Sequence, residues 1–152
     1  MSRLEEIVSM FESLEPEMKL ELLLDYAEKL PPLPEKYHRQ EALSTHRVPE
    51  CMTPVALFVE VENGQVKIFA QVPPESPTVK GFISLLIDAF TGATPREVLE
   101  APMDILNRSG LIQTIGMRRM NGLSAIYRRI KQEVARQLAE PTNGREADPG
   151  GG

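Results

Sequence analysis

The chain has 152 residues, 41% hydrophobic and 26% charged, the make-up of one soluble globular domain and too little for two ordinary ones. Its formal net charge of -5 argues against a general nucleic-acid binder, and its single cysteine excludes an internal disulfide framework. No run of roughly 18 apolar residues offers a membrane span, and Met1 to Glu6 lack the basic start of a signal peptide, so a cytoplasmic location is expected.

Ser2 with Glu5 forms a capping-box pattern and predicts a first helix with Leu4, Ile7, Val8 and Phe11 on one face. Pro16 opens a second helix carrying Met18, Leu22, Leu23, Tyr26, Ala27 and Leu30, and Pro31-Pro32 end it. Leu33 to Pro49 has no clear period and reads as loop, with one short strand near Ser44 to Val48. Asn63-Gly64, between Val55–Glu62 and Gln65–Val72, predicts a hairpin with a type I′ turn. That turn pairs Val61 with Val66, Val59 with Ile68, Leu57 with Ala70 and Val55 with Val72 on one face. Glu60 with Lys67 and Phe58 with Phe69 fall on the other.

Ser76-Pro77 opens a helix to Thr91 that is apolar nearly all round, as a central buried helix is, and Gly92 suits its C′ position. Thr94-Pro95-Arg96-Glu97 repeats the capping box for a short helix, and another short helix is expected over Pro102–Asn107. A long amphipathic helix with Leu123, Ile126, Tyr127, Ile130, Val134 and Leu138 closes a domain spanning 1–140. Residues 141–152 are polar and Gly-rich and read as a disordered tail. Helices, then antiparallel strands, then helices make an α+β arrangement with a small antiparallel sheet packed against helices.

Cys51 is the residue on which the chemistry turns. It lies in Val48-Pro49-Glu50-Cys51-Met52-Thr53-Pro54, a loop stiffened by prolines on both sides that leads into the hairpin. An isolated cysteine is most often a small buried hydrophobe. A cysteine hydrolase needs a histidine beside the thiol, and His38 and His46 stand in an irregular stretch with no signature around Cys51. There is no second cysteine for disulfide redox work, too few ligands for zinc, and no Gly-rich phosphate loop. A lone thiolate can still carry a sulfur atom, with no internal thiol to discharge the persulfide and with Met52, Val55 and Leu57 to shelter it.

Charge is spread unevenly. Glu5, Glu6, Glu12, Glu15, Glu17, Glu21, Asp25 and Glu28 crowd the first two helices, while Arg118, Arg119, Arg128, Arg129, Lys131 and Arg136 crowd the last. Two solvated faces that attract each other are expected; a partner-docking surface is the sharper reading.

Val79-Lys80-Gly81-Phe82 at the central helix, Thr94-Pro95-Arg96-Glu97-Val98-Leu99, and Arg118-Arg119-Met120-Asn121-Gly122-Leu123 follow the cysteine loop in order. On these motifs, with the helix pair ending Leu30-Pro31, the chain resembles the SufE family of sulfur acceptors over roughly residues 4 to 138. The resemblance implies a fold shared with IscU-type scaffolds and no cofactor of its own. It implies Cys51 as persulfide acceptor and Arg119 in support, with Lys80 a weaker candidate. It also implies a PLP-dependent cysteine desulfurase as donor, stimulated by this non-enzymatic partner, and a SufBCD-type scaffold as destination. The chain would work as monomer or homodimer, without nucleic acid or membrane.

Around the nucleophile the family usually reads Gly-Cys-Gln-Ser-Gln-Val-Trp, and this chain reads Glu50-Cys51-Met52-Thr53-Pro54-Val55-Ala56. A glutamate thus replaces the glycine that lets the loop swing. Two readings from other classes remain beside the carrier: a regulatory module that binds a desulfurase without carrying sulfur, and a nucleic-acid binder using the basic last helix.

Overall fold

The computed structural model describes residues 2–49, 51 and 53–139; the expected tail from 141, and Glu50 and Met52 beside the cysteine, lie outside the described residues. Helices α1 (Arg3–Glu12) and α2 (Pro16–Glu28) precede a short 3-10 turn (Glu35–Tyr37) and α3 (Gln40–Thr45). The hairpin β1 (Ala56–Glu62) and β2 (Gln65–Gln71) follows, and then α4 (Pro77–Phe90) and α5 (Pro95–Glu100). A second 3-10 turn (Ile105–Ser109), α6 (Leu111–Ile115) and the long α7 (Met117–Ala139) complete the chain.

The two strands are antiparallel in the register the turn implies, with Leu57 opposite Ala70, Val59 opposite Ile68 and Val61 opposite Val66. Asn63 and Gly64 both take positive φ, 54° and 75°, as a type I′ turn demands. The expected Val55–Val72 pair is missing from the ladder because the Val55 carbonyl accepts instead from the Val48 N–H at 2.9 Å. The strand expected near Ser44 to Val48 shrinks to one bridge, Arg47 with Ala56, and the presumed loop before it holds α3. This segment covers the outer face of the sheet: the Tyr37 ring stacks on Phe58 at 4.0 Å and the His46 ring lies 4.6 Å from it. Phe58 is therefore as buried as the inner face.

Helix α4 is the centre of the core, with Phe82, Ile83 and Leu86 fully enclosed. Each such side chain contributes about 1.5–3 kcal/mol of burial. Helix α2 packs directly on α4. Gly81 permits this, since a Cβ there would stand 2.1 Å from the Leu23 carbonyl oxygen. Both capping boxes form as expected, at Ser2 with Glu5 and at Thr94 with Glu97, whereas Ser76 caps α4 only through its backbone carbonyl. The helix expected over Pro102–Asn107 is displaced to the 3-10 turn, and α6 had no sequence signal of its own. Met18 and Leu138, expected in the core, are exposed at 46% and 52%.

Two lysines hold helix ends. Lys19 is buried and donates to the Phe11 and Leu14 carbonyls at 2.8 and 2.7 Å, closing α1. The Lys131 ammonium donates to the Val98, Leu99 and Ala101 carbonyls that end α5, binding that helix to α7.

Candidate functional site

The cysteine loop is closed at its base by the Val48–Val55 backbone bond, and both valines are fully buried. A second bond, Leu57 N–H to the His46 carbonyl at 3.0 Å, ties the loop's entry to β1. Inside this closure the Cys51 N–H donates to the Val48 carbonyl at 3.2 Å and turns the residue inward. Cys51 is only 5% exposed and belongs to the hydrophobic core. Of its expected shelter, Val55 and Leu57 are buried around it. Burial pushes the thiol above its ordinary value of 9.0, against a smaller downward pull from the Thr53 backbone N–H. The resting sulfur is a protonated thiol at neutral pH.

Above it lies an open groove of about 1120 Å³. Leu20 and Leu24 of α2 form one wall, and Pro77, Thr78 and Val79 at the start of α4 another. The first turns of α7 form the third, with Arg118, Arg119, Gly122 and Ala125, and Arg128 one turn further on. The sequence-predicted pair, Cys51 and Arg119, thus lines one groove, the sulfur at its floor and the exposed guanidinium at its rim. Among the described residues Arg118, Arg119 and Arg128 have no ion-pair partner.

The expected attraction between the acidic first helices and the basic last one does not form these pairs. Glu17, Glu21, Asp25 and Glu28 point to solvent because the opposite side of α2 is buried on α4. Glu12 pairs with Arg108, while Arg129 and Arg136 pair with Glu133 on their own helix.

The remaining candidates stand apart from the groove. Lys80 is half-buried in the first turn of α4 and is not among the described lining residues. His38 bonds the Leu33 carbonyl at 2.8 Å, and His46 bonds the Ala42 carbonyl at 2.9 Å. Neither lines the groove, so neither serves Cys51 as a base. Among the described residues no cluster of three metal-ligating side chains occurs, and no helix is long and apolar enough to cross a membrane.

Sequence reasoning missed the groove walls. A signal existed at Leu20 and Leu24, which lie one helical turn apart, are each 36% exposed and flank the buried Leu23 and Ala27 on the same side of α2. An apolar stripe that runs wider than the part buried against its neighbour leaves apolar area open for a partner.

The family model for SufE, the Fe-S metabolism associated domain, matches residues 5–134. An uncharacterized SufE-like protein of Mycobacterium tuberculosis is 35% identical over 132 residues, which cover 86% of this chain and 90% of that protein. A SufE-like protein of Synechocystis is 30% identical over 127 residues, covering 83% and 76%. The solution structure of a hypothetical protein from Thermus thermophilus superposes with a TM-score of 0.79 at 34% identity, over 92% of this chain and all of that one. A match across nearly every described element, with the α+β fold in place, makes this chain a member of the SufE family, with a role in iron–sulfur metabolism.

Proposed function

We propose that this protein carries sulfur: Cys51 takes the outer sulfur of a persulfide on a PLP-dependent cysteine desulfurase, stimulating that enzyme, and delivers it to a SufBCD-type iron–sulfur scaffold. The observation that carries the reading is the placement of the only cysteine at the floor of a groove rimmed by exposed arginines and leucines. In the transfer the Cys51 thiolate attacks the outer sulfur of the donor persulfide. A sulfur–sulfur bond forms at Cys51, the donor's own breaks, and the donor cysteine leaves as a thiolate holding the electron pair. The sulfur changes hands with no net oxidation. Delivery repeats the step, with Cys51 as leaving thiolate.

The fold supplies protection and access at different moments. Buried, the sulfur is withheld from solvent reductants; docking of the desulfurase on the groove turns the Val48–Val55 loop outward and exposes the thiol. Leaving the apolar pocket also removes the burial that holds the thiol protonated, so exposure and activation coincide. Arg118, Arg119 and Arg128 offer an acidic partner surface its counter-charges, and Leu20 and Leu24 offer apolar area.

Intact-protein mass spectrometry tests this after incubation with a desulfurase, PLP and cysteine without reductant. Wild type gains about 32 Da, one sulfur atom reversible by thiol, and Cys51→Ser gains nothing. A desulfurase stimulated equally by wild type and Cys51→Ser, with no mass gain on either, would make the protein a regulatory module instead.

A further inference from the structure

Gly122 lies within α7, near its start, where glycine is costly: inside a helix it is less favourable than alanine because its backbone has more freedom to lose. Such a glycine needs a reason, and the usual ones do not apply. Its φ is not positive, unlike Gly110 or Gly116. Its backbone does not press on a neighbouring helix as Gly81 presses on Leu23. Among the described residues, the only atom that a Cβ at Gly122 would meet within 4 Å is the Cys51 sulfur, at 3.9 Å.

That distance separates two states of the cysteine. A methyl group 3.9 Å from the thiol is in ordinary contact and displaces nothing. A persulfide adds a second sulfur about 2.05 Å beyond the first. If it extends toward Gly122, about 1.9 Å would remain between it and a methyl carbon there, far inside contact distance. Along that direction the reduced protein has room for alanine at this position and the loaded protein does not.

We infer that Gly122 forms the seat of the outer sulfur: its missing side chain leaves, between α7 and the cysteine loop, the space in which a Cys51 persulfide is held. Gly122 is a positioning residue for the carried atom and takes no part in bond making. This rests on the carrier reading above and deepens it, since it says where the sulfur waits between donor and acceptor.

The test loads the protein without a desulfurase, so that docking on the groove plays no part. Inorganic polysulfide is the sulfur source. The Cys51 thiolate bonds to a terminal sulfur, and the polysulfide leaves one atom shorter with the electrons of the broken bond. The decay of the adduct in added thiol is followed by intact mass for wild type, Gly122→Ala and Gly122→Ser. Both variants should melt at or above the wild-type temperature in the reduced state, and iodoacetamide should alkylate their thiol at the wild-type rate. Their persulfide should decay about tenfold faster, as expected when a well-packed site is overfilled. Equal persulfide lifetimes in the three proteins overturn the seat. So does a thiol alkylated faster in both variants, because the glycine would then serve loop closure. If instead wild type takes no sulfur from any desulfurase, the carrier reading fails, whatever the polysulfide comparison shows.

Discussion

Replacing Gly81 with alanine probes the joint that builds two walls of the groove at once. The new methyl would stand 2.1 Å from the Leu23 carbonyl oxygen and 3.0 Å from its carbon. Carbon–oxygen contacts settle at roughly 3.3 Å, so α2 and α4 must part by about 1 Å. The obstacle is backbone in the middle of a helix and has no rotamer to escape into. Overpacking of this kind costs about 1–3 kcal/mol, and at an unyielding contact the upper end applies. Alanine's helix preference returns about 1 kcal/mol, leaving roughly 2 kcal/mol of destabilisation. In a domain of this size that lowers Tm by roughly 4–8 °C. Thermal melts followed by circular dichroism, with urea titrations for the free energy, measure both. Because Leu20 and Leu24 ride on α2 and Val79 on α4, the same shift opens the groove, and Cys51 should be alkylated faster than in wild type. A Gly81→Ala protein as stable as wild type, with unchanged alkylation, would refute the close-packing argument.

Three further outcomes are expected. Cys51 in the free protein should react with iodoacetamide far more slowly than cysteine in a peptide at pH 7.5, and faster only as pH passes 9.0; peptide-like reactivity would mean that the thiol is not held inside. Arg119→Ala should lower desulfurase-dependent sulfur transfer about tenfold with Tm unchanged, since the side chain is exposed on the rim; normal transfer kinetics would remove the arginine from the site. Asp88 is partly buried, which alone would raise its pKa, but hydrogen bonds from Tyr26 at 2.7 Å and Arg3 at 2.9 Å outweigh this and hold it below its ordinary 3.8. As pH falls through 3.8 the unfolded chain takes up the proton first, so this carboxylate's contribution is full above 3.8 and fades below it. Acid melts of Asp88→Asn should therefore show a shallower loss of stability over that range than wild type, and parallel curves would contradict the assignment.

Short-range physics was legible in the sequence. The Asn63-Gly64 turn requires two positive φ angles, few residue pairs supply them, and the turn then dictates the register of every following pair. The capping boxes at Ser2 and Thr94 and the all-round apolar pattern of α4 are likewise complete within a few residues. The SufE motifs marked Cys51 and Arg119 before any geometry was known. Where a segment's structure depends on distant partners the reading failed: α3 lies in a stretch without period and is held through His46 and the Phe58 it covers, and α6 has only five residues in which to show one.

Whether Cys51 points outward or inward was undecidable from its own loop, because prolines fix backbone angles without choosing a side. The choice belongs to the tertiary structure. The closure at Val48–Val55 turns the loop in, and α7, far along the chain, meets the sulfur with a glycine. The sequence by itself determined the capped helices, the buried character of α4, the hairpin register and the place of the one cysteine in the chain. Only the packing of α2, α4 and α7 around the loop made that cysteine a buried thiol beneath a groove, since burial depends on which surfaces meet and no local pattern records it.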